Sequence, residues 1–150
     1  WKHIFHKGNY DSWPNRAPGV WLHPTKNIMR VYMNTYNKIT EHIDVPNIPI
    51  KKWVHLAIIC KGRNLNTYIN GQLRTKLKLQ SLPKQNYGDL FINAFGGFSG
   101  YMSKMVYHDF ALPVVKLRKE IPEGPSTAPC PGTDITPPYL ATNWWQLKYD

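Results

Sequence analysis

Residues 72–79 alternate without a break. Leu73, Thr75, Leu77 and Leu79 fall on one side, expected to face inward, and Gln72, Arg74, Lys76 and Lys78 on the other. A period of two is the period of a β-strand, whose successive side chains point to opposite faces. Immediately before this run stands Asn70-Gly71, a pair that tolerates positive φ at both residues, as a two-residue type I′ hairpin turn requires. The turn joins 72–79 to a preceding strand at 66–70. Residues 53–60 alternate as well, with Val54, Leu56, Ile58 and Cys60 on one side and Trp53, His55, Ala57 and Ile59 on the other. Both sides are largely apolar, which predicts a central strand covered on both faces.

The same period recurs along the chain. Further strands are expected at 2–6, 18–23, 28–34, 39–45, 88–94 and 98–109, punctuated by Pro24, Pro46, Pro49 and Pro83. Only 113–121 reads as helix, with Pro113 at its start, where the missing N–H costs nothing. About nine short strands at regular spacing predict an all-β fold, a two-sheet antiparallel jelly-roll sandwich with one short helix. The 150 residues, 42% of them hydrophobic, suit one domain with a real core. Thirteen Pro and ten Gly leave no stretch for a helical bundle or coiled coil. No apolar run approaches the ~20 residues of a membrane-spanning helix.

Charge divides the chain in two. Residues 1–121 hold 18 Lys+Arg against 6 Asp+Glu, whereas 122–150 hold Lys148 against Glu123, Asp134 and Asp150, and six of the prolines. A basic sandwich domain at 1–121 followed by a Pro-rich, aromatic, extended tail at 122–150 is expected. Within the tail, Pro137, Pro138, Tyr139, Leu140, Trp144 and Trp145 are too apolar to remain in water. They dock either on their own sandwich or, as an arm, on a neighbouring subunit. Arg74, Lys76 and Lys78 form a basic ridge, extended by Lys51, Lys52, Lys61, Arg63, Lys104 and Lys116. Such a surface favours an acidic protein, an anionic lipid or a sulfated glycan. Its blander reading is a solvated edge whose lysines discourage aggregation. The ridge strand has no interleaved aromatics for base stacking, so no specific nucleic-acid recognition is expected.

No cofactor is expected, because the residues that hold one are scattered. Cys60 and Cys130 are too few for a disulfide scaffold, and no C-x2-C spacing exists for zinc. Cys60 reads as a reduced core residue. His3 and His6 are three apart, which places them on opposite faces of a regular strand and argues against a shared metal. Asp89 and Asn93 read as turn residues rather than calcium ligands. No G-x-S-x-G elbow occurs. Carbohydrate sites combine an aromatic ring with Asp, Asn and Gly from loops, and Tyr10, Asp11, Trp13 and Asn15 have that chemistry, as do Tyr87, Gly88 and Asp89. The alternative is that Tyr10 and Trp13 cap the core.

The run Lys52-Trp-Val-His-Leu-Ala-Ile58, a short turn, and Tyr68-Ile-Asn-Gly-Gln-Leu73 resemble the core hairpin of laminin G-like, concanavalin A-like lectin/glucanase domains. Ile4-Phe-His-Lys-Gly8 is similar to a family turn, Gly88-Asp-Leu-Phe-Ile92 to a family strand, and 97–112 to its closing strand. The resemblance spans about 1–121. It implies a jelly-roll sandwich that is a lectin, a glucanase or a structural module. A glucanase of this fold would carry E-x-D-x-x-E on one strand face. Glu41-His-Ile-Asp44 instead places its two acids on opposite faces, with no third acid following, so no enzyme is expected.

The tail strings Glu123-Gly-Pro-Ser-Thr127, Pro137-Pro-Tyr-Leu140 and Asn143-Trp-Trp145 look like the ending of laminin G-like proteins of large nucleocytoplasmic DNA viruses. That resemblance implies a minor capsid protein of the virion, contacting other capsid proteins or the inner membrane. The alternative is a lectin for glycan or host attachment, extracellular or at a cell surface. The chain opens inside an apolar–polar pattern without Met, and the family has strands ahead of Ile4-Phe-His-Lys-Gly8, so a longer protein is expected, with an anchor or signal peptide upstream.

Overall fold

A computed structural model describes residues 1–11 and 16–128. The strands are β1 (Lys2–Gly8), β2 (Arg16–Leu22), β3 (Ile28–Met33), β4 (Glu41–Pro46), β5 (Leu56–Lys61), β6 (Asn64–Ile69), β7 (Gln72–Lys78) and β8 (Asp89–Ile92), followed by helix α1 (Val114–Glu120). They form two antiparallel sheets, a five-stranded one in the order β4-β3-β2-β1-β8 and a three-stranded one in the order β5-β6-β7. The all-β sandwich with one short helix is the expected fold class.

Alternation builds the core between the sheets. Met29, Val31 and Met33 of β3 point inward with Val20 and Val45, and meet Leu65, Ile69 and Leu79 from the smaller sheet and the chain leaving it. Arg30 and Tyr32 therefore point to the outer face of the larger sheet. The Asn70-Gly71 turn forms as expected, with φ of 49° and 73° at its two residues. Asn70 adds a side-chain bond, its Oδ1 accepting the His55 N–H at 2.9 Å.

β5 is an edge strand rather than a central one, and it begins at Leu56, leaving Trp53 exposed before it. Both of its faces are nevertheless covered. Leu56, Ile58 and Cys60 pack into the sandwich, while Ala57 and Ile59 pack with Tyr68 against Leu112, Val114 and Leu117 of the helical segment. The helix supplies the third layer that the apolar outer side of β5 required. Seven residues are too few for a helix to persist alone, so this packing holds it. Cys60 is a free, half-buried thiol, and burial pushes its pKa up.

Two further expectations fail. Leu73 is 52% exposed instead of inward. The register pairs Thr67 with Thr75 but Tyr68 with Leu73, so Arg74 is an extra residue and the bulge turns Leu73 to the outer side with Tyr68. Residues 98–109 form no strand. Lys104 takes a φ of 49°, which interrupts an extended ladder, and the Ser103 hydroxyl is engaged by the Ser126 N–H at 2.7 Å. Tyr101, Val106, Tyr107 and Phe110 are left exposed there. The tail positions Pro137, Pro138, Tyr139, Leu140, Trp144 and Trp145, together with Cys130, lie outside the described residues. No helix among the described residues is long and apolar enough to cross a membrane.

Candidate functional site

β1 does not keep a regular period. His3 pairs with Trp21 and Phe5 with Val20, so one extra residue, Ile4, sits in a bulge. Ile4 and Phe5 both turn to the core, and His3 and His6 both turn to the outer face of the larger sheet. The expectation that these histidines face opposite ways is therefore overturned. Their cross-strand partners are Trp21 and Gly19. A Cβ on Gly19 would collide with the Trp21 ring, so glycine lets that ring lie flat beside His6, with the planes 11° apart.

The two imidazoles are fully buried and joined, His3 Nε2 to His6 Nδ1 at 2.8 Å. The neighbours set the tautomers. The Ala94 N–H donates to His3 Nδ1 at 2.9 Å, so that nitrogen is bare and His3 carries its proton on Nε2. His3 Nε2–H then donates to His6 Nδ1, and His6 Nε2–H donates to the Asn9 carbonyl at 3.2 Å. Burial, then the neighbouring His6 and Arg16, lower the His3 pKa to about 4. Burial and then Arg16 lower that of His6. Both rings are neutral because their charged forms would lose water and sit beside a guanidinium.

An aromatic cluster surrounds the pair. Phe91 of β8 stacks on His6 at 5.0 Å, and Phe95 lies 6.0 Å from His6 and 5.5 Å from His3. Tyr10 stacks on Phe95 at 4.7 Å. The Arg16 guanidinium lies 4.8 Å from the centre of the Phe95 ring and donates to the Asn9 and Tyr10 carbonyls. Phe95 and Tyr10 remain 47% and 45% exposed, so their ring surfaces face solvent as one apolar step.

Beside that step is an open depression of about 390 Å3 lined by Gly8, Tyr10, Asp11, Gly88, Asp89 and Phe91 among others. Its floor depends on close backbone contact, because a Cβ on Gly88 would stand 2.6 Å from Gly8. Lys7 Nζ fastens the rim by donating to the carbonyls of Asn86 at 2.8 Å and Gly88 at 2.6 Å. Tyr10-Asp11 and Gly88-Asp89, parts of two separate strings in the sequence, thus meet at one place, while Tyr87, the aromatic residue of the second string, is exposed and does not line it. Trp13 and Asn15 lie outside the described residues.

Other expected groups are placed elsewhere. Glu41 is buried and accepts from the Gln80 N–H at 2.7 Å and the Thr35 hydroxyl at 3.1 Å. Asp44 faces outward and pairs with both Arg30 nitrogens at 2.6 and 2.8 Å, which holds its carboxyl below the usual range. The two acids share no site. Lys76 and Lys78 continue along β7 facing outward, while bulged Arg74 turns toward the Asn47 carbonyl at 3.4 Å. Asn93 spends its side chain on the Phe98 N–H at 2.8 Å. Among the described residues no three metal-binding side chains gather. Arg16 and Phe95 carry no signal in the sequence that points to this site, and His3 and His6 read there as facing opposite ways. Only the string Asn93-Ala-Phe-Gly-Gly97 signals a tight turn there; nothing local announces the β1 bulge.

No curated protein matches the chain. Among solved structures, the chain is similar to an S-layer domain-containing protein (residues 221–444) from Clostridium thermocellum ATCC 27405. The identity is 16%, the TM-score 0.39, and the match covers 80% of this chain and 62% of that one. The family model described as the concanavalin A-like lectin/glucanases superfamily matches residues 1–114, which takes in both sheets and every residue of the aromatic cluster. The chain belongs to the concanavalin A-like lectin/glucanase superfamily.

Proposed function

We propose that the chain is a non-enzymatic recognition domain and that it binds carbohydrate in the depression between Tyr10-Asp11 and Gly88-Asp89. The observation that carries this reading is the meeting of those two strings beside the exposed Tyr10–Phe95 step. An aromatic face packs against the C–H face of a sugar, and carboxylates accept from its hydroxyls. The depression is of the size of small-ligand sites, about 300–1,000 Å3. Hydrolysis is disfavoured because Glu41 and Asp44 are each committed to other partners. A glycan array at physiological salt tests the reading. Retained glycans should lose at least about tenfold in affinity with Tyr10→Ala or Asp89→Asn, a loss of about 1.4 kcal/mol. A blank array, or binding indifferent to both substitutions, sinks it.

A second reading has its own support. Lys76 and Lys78 are exposed on an edge strand, and among the described residues no carboxylate pairs with them. An acidic protein or anionic membrane would fit that edge, as a structural contact within a particle. The virion setting rests on the tail strings alone. Changing Arg74, Lys76 and Lys78 to Glu should abolish co-sedimentation with anionic vesicles or incorporation into particles. Unchanged association and assembly would refute this reading.

A further inference from the structure

The hydrogen bonds through His3 and His6 leave no room for an added proton. The Ala94 N–H can only donate and the Asn9 carbonyl can only accept, so the direction of the chain is set at both ends. Two protons serve four ring nitrogens, and each nitrogen has its partner. A proton on His3 Nδ1 would face the Ala94 N–H. A proton on His6 Nδ1 would face His3 Nε2–H. Either turns a hydrogen bond into two opposed donors.

Both ends of the chain hold the ligand site. Ala94 lies in a turn where Asn93 and Phe95 take φ of 52° and 54°, a left-handed conformation that costs a bulky residue energy and persists only when its surroundings impose it. The Ala94 N–H bond to His3 is one of those constraints. Asn9, at the other end, directly precedes Tyr10, and its carbonyl also accepts from Arg16. Tyr10 and Phe95, stacked on one another, are thus held from opposite ends of the same chain.

Resting on the carbohydrate reading of that depression, we propose that the His3–His6 pair is a proton-operated latch: proton uptake breaks the chain from Ala94 to Asn9, frees the 93–97 turn, separates Phe95 from Tyr10 and releases the glycan. The surroundings favour a switch over a gradual change. Arg16, from β2, is the charged group against the pair, and it repels an added proton. Trp21 from β2, Phe91 from β8 and Phe95 from the turn are neutral. Asp11 and the Tyr10 hydroxyl act on Arg16, Asp89 stands at the rim, and Lys7 is engaged with the Asn86 and Gly88 carbonyls. Among the described residues no carboxylate faces the imidazoles to welcome the first proton. Once the chain opens, both rings gain water.

The test is a titration of the full chain by imidazole nitrogen–proton correlation spectroscopy, from about pH 8 to about pH 3.5. Both rings should show the Nε2–H tautomer at neutral pH and stay neutral well below about pH 6.5, the ordinary histidine value. They should then charge together, in the same step that shifts the Ala94 amide and Phe95 ring resonances. Either ring charging near the ordinary value, with Ala94 and Phe95 unmoved, overturns the latch. Glycan arrays at neutral and acidic pH are the second arm, with loss of about tenfold or more in bound signal expected on acidification. Glycans retained equally at both overturn the latch while leaving the carbohydrate reading intact. An array blank at both sinks the carbohydrate reading, and the spectroscopic titration still decides whether the histidines open the turn. His6→Phe, which keeps a ring between Trp21 and Phe91 but cuts the chain without a proton, should bind at neutral pH as weakly as the wild type does in acid, and wild-type binding by this variant at neutral pH overturns the latch. Should that variant not fold, the wild-type titration stands alone as the decision.

Discussion

The Glu41 carboxylate accepts the Gln80 backbone N–H at 2.7 Å, joining the first residue of β4 to the chain that leaves β7. One acid side chain thus links the edges of the two sheets, and the Thr35 hydroxyl completes its coordination at 3.1 Å. Glu41→Ala leaves a half-buried N–H and a buried hydroxyl without this acceptor, a loss of about 1–3 kcal/mol. Glu41→Gln keeps one acceptor oxygen and should lose less. Urea midpoints of the two variants measure the order, and equal midpoints would contradict it.

Acid should weaken the fold in two separate windows. The His3 pKa is lowered from 6.5 to about 4 in the folded chain. Between those values the unfolded chain binds the proton and the folded chain does not, so stability is fully present above 6.5 and falls as pH drops toward 4. Asp44 works in the same sense at lower pH. Its folded pKa is depressed by Arg30, so its contribution is present above the ordinary carboxylate value and disappears only as pH falls through the depressed one. Melting temperatures across this range should decline first in the histidine window. His3→Phe should remove the His3 share of that decline and leave the lower part in place.

The outward Arg30–Asp44 pair is partly exposed, with side-chain exposures of 22% and 39%. Its contribution is accordingly about 0.5–1 kcal/mol, reduced by salt. Asp44→Asn should lower stability by that amount in dilute buffer and by less in molar salt. A salt-independent loss would show that packing of Arg30 on Trp1, 4.5 Å from its guanidinium, is the larger effect.

Leu117 is the buried side chain of the helix and fills the space over Tyr68, Ala57 and Ile59. Leu117→Ala should lower stability by about 2–4 kcal/mol. Amide exchange should rise first in 114–120 and β5, because packing of Leu117 is the main support of so short a helix.

Gly71 holds a φ of 73°, and a Cβ there would meet the Ile121 side chain. Gly71→Ala should lose about 1–2 kcal/mol from the left-handed backbone, with more from the collision. Denaturant midpoints report the sum, and Gly71→Ala combined with Ile121→Ala separates the two parts.

Much of the fold was legible where it depends on neighbours in sequence. Asn70-Gly71 makes its hairpin because its turn chemistry is local. Pro113 starts its helix for the same reason. The site was half legible: Tyr10-Asp11 and Gly88-Asp89 could each be recognised by composition, but not their meeting. His3 and His6 share a face that a regular period denies them, because β1 bulges at Ile4.

Period, turn residues and composition, which act over a few residues, were enough for a basic, all-β sandwich with one short helix and for two strings with the composition of carbohydrate sites. Tertiary structure alone decided which faces those residues occupy. The extra residues at Ile4 and Arg74 each shift a register by one, and a shift of one sends a side chain to the other side of the sheet. That shift buries two histidines together beneath the Tyr10–Phe95 step and turns Leu73 outward. Neither bulge has a local signature, because each arises from fitting one strand against another distant in the chain.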